Sequence, residues 1–248
     1  MPLTLEKIAL ELLGLPAKSR ALIAEKLIES LDEKEDTDME ILDKASEMLK
    51  RTAEYNNLVK SLAPLIEAIR NSDTAKDFLK SADVDIFQNR FEKSGRRMKK
   101  FKEDSKASGT DETTILRKAF LYLALFETST TNLIDLVLMI FIANGHDFYV
   151  YRSRKYAKKL DDLDDCFISE KLDFLNHHGL VIFSEHINKK LRNKIAHLDF
   201  DVEADGKILI GQQKYDLQDE LVHLEAILLA IANALKECKL PELLRELS

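Results

Sequence analysis

The chain has 248 residues, of which 45% are hydrophobic and 33% charged, with a formal net charge of −7. That balance fits a globular protein and excludes a disordered one. Only seven glycines and four prolines interrupt a composition rich in Leu, Ala, Glu and Lys, so helices are predicted. Cys166 and Cys238 have no metal-ligand spacing; both are expected to pack as small hydrophobes in a reduced, cytoplasmic setting. No cationic start followed by an apolar run predicts a signal peptide.

In chain order, "LTLEKIALELLGLPAKSRALIAEKLIESLDEKED" predicts two short amphipathic helices. Leu5, Ile8, Leu12 and Leu13 share one face before Gly14, and Leu22, Ile23, Leu27 and Leu31 form the second stripe after Pro16. "LGLPAKSRALIAEKLIESLD" resembles the start of the addiction-module antitoxin components, over about residues 3–33. A helical hairpin used for docking or dimerisation is the plainer reading of these residues. Further helices are predicted over roughly 39–71 and 74–104, the first kinked or split at Pro64. "KEDSKASGTDE", residues 102–112, has linker composition. The predicted organisation is therefore a hairpin at 1–37, a helical linker region at 38–110, a bundle at 111–240 and a tail at 241–248.

The acidic total hides basic clusters. Residues 93–102, "KSGRRMKKFK", hold six cations and no acid, including Arg96, Arg97, Lys99 and Lys100. "RSRKYAKK", 152–159, holds five, including Arg152 and Arg154. Phe101 and Tyr156 among these cations have the chemistry to stack on bases, which makes both clusters candidates for RNA binding; a solvated surface is the plainer reading.

Beyond residue 110, a long helix is predicted over about 111–144. "AFLYLALFETSTTNLIDLVLMIFIA" is apolar at both ends, but Glu127, Asn132 and Asp135 interrupt it, so it reads as a core helix and not a membrane span. Further helices are predicted over about 162–178, 183–198 and 216–237, with a short one after Pro241. "FDVEADGKILIGQQKYDL" alternates about Asp205-Gly206 and predicts a β-hairpin. The expected fold is all-α: a C-terminal four-helix bundle, a small hairpin between its third and fourth helices, and an N-terminal helical extension.

The third helix holds "INKKLRNKIAHLDF". At about 100° per residue with Arg192 at zero, Ile187, Leu191, Ile195 and Leu198 form one stripe between about −140° and −60°. Asn193, His197, His186, Lys189 and Lys190 fall between about 60° and 160°, on another face. A guanidinium fork, an amide, two histidines and lysines suit a phosphodiester, because histidine titrates near neutrality and arginine holds phosphate oxygens in pairs. From spacing alone, a solvated or interface face is the plainer reading. Glu127, Thr131 and Asp135, at i, i+4 and i+8, are expected to tether Arg192, with direct participation in catalysis as the alternative. His177 and His178 are adjacent and chelate poorly, and neither a metal nor a cofactor is expected.

"LRNKIAH" resembles the signature of the HEPN superfamily (higher eukaryotes and prokaryotes nucleotide-binding): Arg, four to six residues, then His, often with Asn directly after the Arg. Arg192, Asn193 and His197 match it, and the similarity covers about 111–240. The resemblance implies a prokaryotic, homodimeric, metal-independent ribonuclease of the toxin–antitoxin or defence type. His197 would then be the acid/base, Arg192 would hold the scissile phosphate and Asn193 would orient the site. It also implies RNA as substrate and an antitoxin or regulatory protein as partner. Some members of the superfamily only bind RNA, nucleotides or proteins, which is the alternative function.

Overall fold

A computed structural model describes residues 55–82, 86, 89–90, 92–93, 95–96 and 111–247. The chain divides into two compact units, Met1–Asn57 and Leu58–Ser248. The N-terminal hairpin and its antitoxin-like resemblance lie outside the described residues, as do Arg97, Lys99, Lys100 and Phe101. What is described is mainly helical, with two small antiparallel sheets.

Helix α1 covers residues 55–70 and runs through Pro64 without the predicted split. Leu58, Leu62, Ile66 and Ile69 are all buried along one stripe. Four buried aliphatic side chains contribute about 1.5–3 kcal/mol each, which outweighs the roughly 3 kcal/mol cost of a mid-helix proline. Helix α2, Asp73–Ser81, follows, capped by the Ser72 hydroxyl on the Ala75 N–H.

The long predicted helix is present but carries a π-turn. Helix α3, Glu112–Leu125, starts at Asp111, whose carboxylate accepts from both the backbone and the hydroxyl of Thr114. Phe126–Thr130 forms the π-turn, and helix α4 continues over Thr131–Ala143. The hydroxyls of Thr128, Thr130 and Thr131 donate back to carbonyls of the preceding turn, which stabilises the widened ladder. Glu112–Ala143 is long and apolar enough to span a bilayer, yet 72% of its most apolar window is buried inside the protein. Leu133 to Ile142 are buried without exception. At its end the Asn144 amide donates to the carbonyls of Ile140 and, across to α1, of Leu65.

Strands β1, Tyr149–Val150, and β2, Lys155–Tyr156, form a hairpin that alternation did not reveal because each strand has two residues. The helix predicted over 162–178 is shorter. A 3₁₀ turn, Leu160–Leu163, comes first because the Asp162 carboxylate accepts from the backbone N–H groups of Lys158 and Lys159. Helix α5 then covers Ile168–His177 and stops before Gly179, whose φ is +83°.

The predicted third helix is two helices: α6, Ile182–His186, and α7, Lys189–Ala196. Ile187 is extended between them, and the Asn188 side chain caps α7 at the Leu191 N–H, 3.0 Å away. The predicted hairpin is a three-stranded meander of β3, Asp201–Val202, β4, Ile208–Ile210, and β5, Gln213–Tyr215. Helix α8, Leu217–Glu237, packs against α3. Helix α9, Leu240–Leu247, buries Leu240, Leu243, Leu244 and Leu247 and packs against α8 and α2.

Candidate functional site

The pieces of the sequence motif are positioned from both ends of α7. Asn188 fixes the start: besides capping the helix, its carbonyl faces the Tyr122 hydroxyl of α3 at 3.5 Å. Its side chain also hydrogen-bonds Tyr215 and Glu220, linking α7 to the β-meander and α8. Ile187, Leu191 and Ile195 are buried as predicted. Leu198 is not: it is 60% exposed and left-handed, with φ +53°. The helix ends before it, with the Asp199 N–H on the Lys194 carbonyl and the Lys194 ammonium on the Asp199 carboxylate, so Leu198 swings off the stripe.

Arg192 is half-buried and held on three sides. Its Nε and Nη2 donate to Glu127 Oε1 on the π-turn, and Nη1 donates to Asn193 Oδ1 at 2.8 Å. Its guanidinium lies 5.9 Å from the centroid of the Phe126 ring. The predicted tether through Glu127 is thus present. The tether through Asp135 is not. Eight residues advance a helix by about 12 Å, too far for one guanidinium to meet both carboxylates.

Asp135 is instead fully buried against α5, where Lys171 Nζ donates to its Oδ1 at 2.6 Å. Arg90 approaches its Oδ2 at 3.8 Å and also pairs with Asp164. Burial pushes the Asp135 carboxyl up to about 6, against the lowering pull of Lys171 and Arg90. Reading the sequence alone missed Lys171. A signal was present: Ile168, Lys171, Leu172 and Leu175 sit at i, i+3, i+4 and i+7, so the lysine lies in the apolar stripe of its own helix.

Arg192, Asn193 and Lys189 line one wall of a cleft of about 360 Å³. Phe126, Glu127 and Thr131 form a second wall, and Asp164, Cys166, Phe167, Ser169 and Lys171 complete it. Its charge is mixed, with three cations facing two carboxylates. Burial pushes the Cys166 thiol up to about 11. The cleft offers a fixed guanidinium, an amide and an ammonium on one side.

The other predicted residues do not converge there. His197 is the C-terminal cap of α7, exposed and outside the cleft lining. Lys190 is exposed and also outside it. His186 belongs to α6, so the shared face drawn through a continuous helix does not exist; its Nδ1 lies 3.2 Å from His223 Nε2 on α8. Arg96 is exposed, and Arg152 and Arg154 are exposed in the β1–β2 turn. His178 sits in a ring cluster with His146, Phe141 and Phe174. Among the described residues, no three His, Cys, Asp or Glu side chains converge as a metal set. No family model, curated protein or solved structure matches the chain.

Proposed function

We propose that the protein is a HEPN-like, metal-independent endoribonuclease acting as a cytoplasmic homodimer, with a four-helix bundle over about 111–240 carrying the site. The observation that carries this reading is the immobilised Arg192 beside Asn193 and Lys189 at the cleft wall, with His197 at the end of the same short helix. Arg192 and Lys189 hold the scissile phosphate. One His197 takes the proton of the 2′-hydroxyl, whose oxygen attacks phosphorus. The 5′-oxygen leaves with a proton from a second acid, giving a 2′,3′-cyclic phosphate and a free 5′-hydroxyl. A second copy of the chain supplies that acid as its own His197. A shallow apolar groove on the outer face of α3, lined by Leu116, Phe120, Leu121 and Ala124, supports such pairing. A toxin or defence role, restrained by an antitoxin or regulatory partner, fits this chemistry.

One observation favours a second reading, a module that binds RNA or a nucleotide without cutting. Glu127 already neutralises Arg192, and His197 stands outside the cleft. Incubating the protein with a mixed RNA pool in EDTA, beside Arg192→Ala and His197→Ala, separates the two. Cyclic phosphate ends from the wild type alone support the nuclease. Intact RNA, retained by a folded wild type, overturns it in favour of binding.

A further inference from the structure

The β1–β2 hairpin shows a different surface from the cleft. Phe148, Val150 and Ala157 are buried, while Tyr149, Tyr151 and Tyr156 are 38%, 69% and 52% exposed. Tyr149 and Tyr156 are direct cross-strand partners with ring centroids 5.3 Å apart, and Tyr151 meets Tyr149 edge-on at 5.2 Å. A cross-strand pair stabilises a two-residue hairpin, and that accounts for Tyr149 and Tyr156. It does not account for Tyr151, which lies in the turn and leaves most of its ring in water.

Cations neighbour these tyrosines in the chain. Lys155 is bound to Asp162 and holds β2 to the 3₁₀ turn, and Lys159 pairs with Asp161 within that turn. Arg152, Arg154 and Lys158 are exposed and have no ion pair among the described residues. Arg154 is held with φ +56°, a backbone conformation uncommon for arginine. Adjacent exposed rings with unpaired cations between them match what a single strand presents: flat base faces and a phosphate every nucleotide.

We infer that the β1–β2 hairpin is a docking platform for single-stranded nucleic acid, with bases stacking on Tyr151 and its neighbouring tyrosines and phosphates held by Arg152, Arg154 and Lys158. An anionic membrane is disfavoured by the charge of the exposed Asp161, Asp164 and Asp165, which follow the hairpin in the chain. The inference does not depend on catalysis at α7.

Fluorescence anisotropy of the full chain with a short labelled oligonucleotide tests it. The 2′-O-methyl form lacks the hydroxyl that cleavage would use, so binding is read apart from any nuclease activity. A DNA strand of the same sequence, its duplex and phosphatidylserine vesicles are run alongside. Binding of either single strand supports the platform, and the tighter of the two names the source. Tyr151→Ala should weaken binding about fivefold or more, and Tyr151→Phe should keep it. Loss of two phosphate contacts in Arg152→Ala/Arg154→Ala should make the log–log salt slope shallower by about 1.4, whatever the cleft contributes. Circular dichroism checks that the variants stay folded, as the exposure of these side chains leads one to expect. Unchanged affinity in folded Tyr151→Ala, or preference for duplex or vesicles, overturns the inference.

Discussion

Breaking the buried ion pair between Asp135 and Lys171 should cost more than any surface substitution, and the cost should depend on pH. Asp135 is 0% and Lys171 2% exposed, so water does not screen the pair and the discount applied to surface salt bridges does not apply. Removing one partner of such a pair costs about 3–5 kcal/mol, whereas replacing both with apolar residues of similar volume is often neutral or stabilising. Lys171→Met should fall at the lower end, because Arg90 remains 3.8 Å from the carboxylate and offsets part of its charge. Asp135→Asn leaves the Lys171 ammonium without its carboxylate and should fall at the upper end. Asp135→Leu/Lys171→Met should cost far less than the sum of the single losses.

The sign of the pH effect follows from the direction of the Asp135 shift. Its folded value, about 6, lies above the ordinary aspartate range, so the folded state holds the proton more tightly than the unfolded chain. The stability tied to this proton is fully present below about pH 4 and is lost as pH rises through about 6. Without Lys171 the carboxylate loses its nearest cation, and the loss should extend to higher pH. Urea melts followed by circular dichroism at pH 5.5 and 8 should therefore show Lys171→Met penalised more at pH 8. A penalty under about 1 kcal/mol at pH 8, or strict additivity in the double variant, would refute the reasoning.

Two further outcomes follow from local geometry. Leu198→Gly should leave stability unchanged or raise it by up to about 1 kcal/mol in the same melts, because a mostly exposed leucine is held at positive φ where glycine is unstrained; a loss above about 1 kcal/mol would show that Leu198 packs against something. Cys166 should react slowly with iodoacetamide at pH 8, since a thiol pushed to about 11 is roughly one part in a thousand thiolate there; labelling as fast as free cysteine would contradict that burial.

Much of the architecture was legible from periodicity alone. Helices α3, α4, α5, α7 and α8 lie within the predicted ranges, and in α7 the stripe of Leu191 and Ile195 is the buried face. Of the candidate site, the hold of Glu127 on the Arg192 guanidinium was legible, and Arg192 and Asn193 line one cleft, whereas His197 and His186 do not. The break at Asn188 was not legible, and it decides whether His186 shares a face with His197. A helix interrupted by a capping amide keeps its apolar residues buried on both sides of the break, so the hydrophobic pattern reads as continuous.

What the sequence by itself determined is the helical class and the buried stripe of α7 up to Ile195. What only the tertiary structure decided is which charges meet. Glu127 and Asp135 are two acids on one long helix, and nothing in their spacing says that one faces Arg192 while the other faces Lys171. Spacing along a helix sets the direction of a side chain, but its ion-pair partner comes from whichever element packs opposite, at a distance of only a few ångströms. The same limit applies to Tyr151, whose exposure depends on a two-residue hairpin too short to leave a pattern.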